Sequence, residues 1–247
     1  ANPMHLVDHI LVFILFFAQP VYGYFEGRRF EARAKAGLPV DRLRFYRHTM
    51  WVEWAFLAVL GAFWFTFGRP VEDLGFVSPG GGGFWIGLVL LFAMTGALFY
   101  SWRSARNAGP TDKSEQSDQL QRVAHYIPQS AEELQSFFRV SITAGVVEEI
   151  VYRGFVLWYL GQFMPLWLAV IVSSVAFGLG HSYQGPKGAT QAGLVGLSFA
   201  IFYVGTGSIW LPIVAHALLD IFQGATLYEM LRQRSDESKS ALEQQDA

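Results

Sequence analysis

Long apolar blocks separated by short polar gaps set the outline of the chain. The blocks run roughly over residues 4–25, 50–67, 84–102, 138–160, 164–180, 189–204 and 208–230. Each is close to the ~20 residues an α-helix needs to cross the hydrocarbon layer of a bilayer. Lipid offers no partner to an open backbone amide, so such blocks predict helices. The expected fold class is all-α, a polytopic transmembrane bundle of about seven helices, eight if one segment is hidden. Asp8 and His9 near the start of the first block, and Glu53 near the start of the second, read as interfacial residues.

The gaps carry the basic charge. Arg28, Arg29, Arg33, Lys35, Arg42, Arg44 and Arg47 follow the first block, and Arg103, Arg106, Lys113 and Arg122 follow the third. By the positive-inside rule this places the N-terminus outside and the C-terminus in the cytoplasm, with Arg69 as the exception. A bacterial inner membrane is the expected location. Pro79-Gly80-Gly81-Gly82-Gly83 reads as a turn; no Lys-Ser or Lys-Thr follows, so it is not a phosphate loop. Ser130-Ala131-Glu132-Glu133 has the form of a capping box that opens a helix. The expected division is N-terminal membrane helices over 1–103, a polar cytoplasmic linker with an interfacial helix over 104–136, a membrane core over 137–230 and a disordered polar tail over 231–247.

Composition narrows the function classes. The 247 residues are 52% hydrophobic and 15% charged, with net charge -2. No cysteine is present, which excludes disulfides, thiolate metal sites and cysteine nucleophiles. The basic gap after the first block reads as a juxtamembrane loop, and no nucleic-acid partner is expected. The first block lacks the basic flank and cleavage site of a signal peptide.

Against that background the ionisable residues inside the spans stand out, because each costs at least about 2.5–3.5 kcal/mol to insert. Glu148 and Glu149 with Arg153 form one island, His181 with Phe177 one turn before it a second, and His216 with Asp220 one turn after it a third. Helical spacing lets Arg153 pair with Glu149 and leaves Glu148, turned about 100° away, free to act as a base. Each island alone has a packing explanation. Together, on three helices, they can converge on one cavity where a carboxylate and two imidazoles activate water and steady an oxyanion. The same residues could instead hold a divalent metal such as zinc through His181, His216 and Glu148. No His-Glu-x-x-His motif is present.

Glu148-Glu149-x-x-x-Arg153, Phe177-x-x-x-His181 and His216-x-x-x-Asp220 resemble the three ordered motifs of the CPBP family, the glutamate-type CAAX prenyl proteases and the bacterial bacteriocin-processing and immunity (Abi) proteins. The resemblance covers roughly residues 137–227. It implies an all-helical intramembrane endopeptidase acting on a membrane-associated peptide or protein, lipidated in some members. Carried over, Glu148 would activate water, Glu149 and Arg153 would support it, His181 and His216 would bind the water or oxyanion, and Asp220 would complete the site. The family often has Asn at that last position, and its members have been described both as metal-dependent and as metal-free. The competing expectations are a non-catalytic scaffold or immunity protein using the same cavity, and an ion or proton transporter.

Overall fold

A computed structural model describes residues 4–107 and 125–245, with side chains to residue 235. Seven long helices account for most of these residues, and no strand occurs among them. We number them α1 (Leu6–Lys35), α2 (Arg42–Thr66), α3 (Gly81–Asn107), α4 (131–160), α5 (Leu166–Gly180), α6 (Gly185–Thr206) and α7 (Trp210–Gln245). Helices α1, α2, α3, α6 and α7 include stretches long and apolar enough to cross a membrane, and α5 is a shorter apolar helix. The predicted helical membrane bundle is therefore the observed fold. The Gly109-Pro110 break, Lys113 and Arg122 lie outside the described residues.

Local chemistry accounts for the helix ends. Asp41 caps α2 by accepting from the Arg44 amide at 2.8 Å. Ser130 caps α4 in the same way from the Glu133 amide, and Glu133 accepts from the Gln129 amide, so the predicted capping sequence does start a helix. Arg42 reaches Glu133 at 3.7 Å and ties the two starts together. The polar tail departs from expectation: α7 continues to Gln245. Residues 231–245 contain no Gly or Pro and carry Gln, Glu, Arg and Leu repeatedly, so helix propensity carries the coil beyond the apolar block.

Helix α4 is the centre of the bundle. It packs against α2 and α7, while α5 and α6 form a second packed pair and α7 also lies on α3. A helix enclosed on all sides must be apolar all round except where polar groups meet one another. Every residue from Ile150 to Val156 is buried. That stretch is π-helical, with α-helix on both sides (Ala131–Glu149 and Leu157–Leu160). Helix α1 has a similar stretch at Ile14–Ala18, just before Pro20, whose ring cannot be accommodated in an undisturbed α-helical ladder. Close crossings depend on glycine: a Cβ on Gly145 of α4 would lie 2.8 Å from the Ala217 Cβ of α7. Outward-facing aromatics such as Trp51, Trp85 and Phe92 are 60–76% exposed, the belt expected of a surface that meets lipid.

At one end of the bundle lies a buried ion pair. Both guanidinium nitrogens of Arg69 donate to the two carboxylate oxygens of Asp8, at 2.7 and 2.6 Å, and both side chains are 1% exposed. Arg69 also lies over the Trp64 and Trp158 rings. Asp8, at the helix end, is thus enclosed by protein rather than left exposed. Arg69 folds in from the α2–α3 connection and supplies the charge that makes its burial tolerable.

Candidate active site

The three polar islands meet around the middle of α4. Glu149 Oε1 lies 2.9 Å from Arg153 Nη1 and 2.7 Å from His216 Nδ1. The three side chains are between 0 and 6% exposed. The i, i+4 pair thus forms, and His216 of α7 joins it. A carboxylate held by a guanidinium accepts only, so Nδ1 of His216 carries the hydrogen and Nε2 is turned the other way. On that side stand Asp220 at 3.6 Å and Glu148 at 3.9 Å.

Aromatic rings fix this core from two further helices. The Arg153 guanidinium lies over Phe177 of α5 at 4.6 Å and Phe199 of α6 at 5.7 Å, and Nη2 donates to the Gly196 carbonyl at 2.8 Å. Phe199 stacks on the His216 ring at 5.1 Å. Gly196 is needed for this approach, since a Cβ there would sit 2.9 Å from the Phe177 ring. His181 ends α5 and also contacts Phe177, with ring centroids 4.6 Å apart. Its Nδ1 donates to the Phe177 carbonyl at 2.9 Å, which leaves Nε2 available. His181 and Asp220 are within electrostatic reach of each other.

Accessibility separates two kinds of acid. Glu149 is fully enclosed, whereas the Glu148 side chain keeps 18% of its surface and Asp220 32%. Glu148 and Asp220 thus keep part of their surface, while Glu149, Arg153 and His216 are enclosed. Glu148 Oε2 has no hydrogen-bond partner among the described residues, nor has the second oxygen of Glu149.

The π-helical stretch begins directly after Glu149 and includes Arg153. Such stretches recur at functional sites. Its i→i+5 geometry is not visible in a spacing argument built on α-helix.

Sequence reasoning missed one acid. Glu53 does not sit at the entrance of α2. The helix starts at Arg42, so eleven residues of rise carry Glu53 about 16 Å along the axis. It lies within electrostatic reach of Glu148, His216 and Asp220. Its Oε2 is buried without a hydrogen-bond partner among the described residues. The signal that could have found it is Asp41, an N-cap residue nine positions before the apolar block. As placed, the expected metal set His181, His216 and Glu148 does not close up: among the described residues no three His, Asp or Glu side chains are grouped to hold a metal ion.

Comparison with known proteins covers little more than a third of the chain. The family described as type II CAAX prenyl endopeptidase Rce1-like matches residues 130–222, which include all three motifs. The "Putative membrane peptidase YdiL" of Bacillus subtilis (strain 168) is 33% identical over 82 residues. That match spans 33% of this chain and a third of the relative's own length. No solved structure matches.

Proposed function

We propose that the chain, which resembles the CPBP family of CAAX-protease-like membrane peptidases through residues 130–222, is an intramembrane endopeptidase that cuts with a water activated by Glu148. One observation carries the reading: Glu148 Oε2 has no hydrogen-bond partner among the described residues and faces His216 Nε2 across 3.9 Å, while its neighbour Glu149 is held through Oε1 by Arg153 and His216. That gap is too long for a hydrogen bond and short enough for one water to contact both atoms.

In the proposed reaction Glu148 takes a proton from that water as its oxygen bonds to the scissile carbonyl carbon. His216, oriented through Nδ1 by Glu149, holds the water at Nε2. His181, with Asp220 in electrostatic reach, stands at the oxyanion through Nε2. The proton on Glu148 then passes to the amide nitrogen as the C–N bond breaks. Arg153 holds Glu149 in place throughout. Because the expected metal ligands do not group as placed, no step is routed through a metal ion. The substrate is a membrane-associated peptide or protein, lipidated ones included. We assign the N-terminal side to the outside and the C-terminal tail to the cytoplasm of a bacterial inner membrane. The basic gaps support this, and the one exception, Arg69, is neutralised by Asp8.

The test compares the membrane proteome of cells carrying the wild type with that of cells carrying Glu148→Gln. A substrate accumulates uncut in the variant, which still unfolds at the wild-type temperature in detergent. Retained cleavage overturns the mechanism. A phenotype that survives the substitution with nothing accumulating points to a scaffold, and Glu148-dependent ion flux in liposomes points to a transporter.

A further inference from the structure

Among the described residues the acids of the site outnumber its strong cations. Four carboxylates, Glu53, Glu148, Glu149 and Asp220, act on one another there. The one guanidinium among them, Arg153, is committed to Glu149 and the Gly196 carbonyl. The charged groups facing Glu53 from the packed helices are Glu148 of α4 and His216 and Asp220 of α7; no lysine or arginine is among them. Glu53 Oε2 is nonetheless buried, and it makes no hydrogen bond among the described residues.

Helix α2 holds this carboxylate at a fixed place. The next residue, Trp54, donates from Nε1 to the Thr143 hydroxyl of α4 at 3.2 Å, which sets the rotation of α2 against α4 five residues before Glu148. Nothing in the proposed reaction uses Glu53. A buried acceptor without a donor is costly, and a site built that way favours a ligand that brings the donor.

Resting on the peptidase reading, we infer that Glu53 is a specificity residue that selects substrates presenting a lysine or arginine side chain next to the scissile bond. The cation completes the acceptor set of Glu53 and offsets the excess negative charge shared with Glu148 and Asp220. An acidic side chain or a free carboxylate at that position adds a like charge and is rejected. Glu53 thus acts in choosing the peptide, and Glu148 in cutting it.

The test uses the full chain in phosphatidylglycerol–phosphatidylethanolamine nanodiscs. The probes are lipid-anchored quenched fluorescent peptides identical except for Lys, Gln or Glu at each position in turn. The wild type cleaves the best Lys peptide with kcat/KM about tenfold or more above its Glu counterpart, mostly through KM. Glu53→Gln collapses that ratio to about threefold or less, and Glu53→Lys inverts it. The ratio is internal to each variant, so a general loss of folded protein cancels, and Glu53→Gln alone decides the matter if Glu53→Lys does not fold. Cleavage by the wild type without a charge preference, or a preference unchanged in Glu53→Gln, overturns the inference and leaves the peptidase reading standing. Failure of the wild type to cut any peptide overturns both.

Discussion

Replacing Arg153 by Met keeps most of the side-chain length and removes the guanidinium from a site where it is 1% exposed. The change leaves Glu149, itself 0% exposed, with His216 Nδ1 as its remaining charged contact. Removing one member of a buried pair costs about 3–5 kcal/mol, because the surviving charge has lost its compensation without regaining water. The hydrogen bond to the Gly196 carbonyl and the contacts over Phe177 and Phe199 go with it, and they belong to the same figure. For a chain of this size the loss corresponds to a fall of about 6–20 °C in Tm, measured by thermal unfolding in detergent. The double variant Arg153→Met with Glu149→Gln removes the stranded charge but keeps an acceptor for His216, so it recovers at least half of the loss. A single variant within about 1 kcal/mol of the wild type, or a double variant no better than the single, refutes the idea that charge compensation holds this core together.

Two further outcomes are expected. Asp8→Asn deprives Arg69 of its carboxylate and lowers stability by about 3–5 kcal/mol in the same unfolding assay. Cleavage per folded molecule is unchanged, because Trp158, which Arg69 covers, lies ten residues along α4 from Glu148, about 15 Å of helix. Gly196→Ala drives a methyl into the Phe177 ring and costs about 1–3 kcal/mol, with cleavage falling more than stability, since Phe177 carries both Arg153 and His181. Wild-type kcat in that variant would show that the ring is not a positioning element.

Much of the bundle was legible because lipid imposes a single rule. Every block of apolar residues had to become a helix, and each did, although the helices run past the blocks at their polar ends, as in α2 and α7. The Glu149–Arg153 pair was legible too, since four-residue spacing is a property of the helix alone. Its third member was not. Nothing in the pattern around His216 says that its Nδ1 meets Glu149 sixty-seven positions earlier rather than Asp220 one turn later. The sequence supplies two carboxylates for one imidazole, and only the crossing of α4 and α7, close because Gly145 meets Ala217, decides which of them takes the hydrogen bond.

Asp8 and Glu53 were each read without the tertiary neighbours that enclose them. An acid near the edge of an apolar block is interfacial only if the helix begins where the apolar residues begin and no cation folds back over it. In α2 the first condition fails: the helix starts at Arg42, and its early polar turns carry Glu53 inward to Glu148. In α1 the second fails, because Arg69 comes from sixty-one residues away to cover Asp8. The two failures have opposite consequences. Asp8 receives a full counter-charge from its own chain and becomes part of the framework. Glu53 faces no lysine or arginine, only the His216 imidazole, and a buried carboxylate oxygen left without a donor is suited to a partner that arrives from outside.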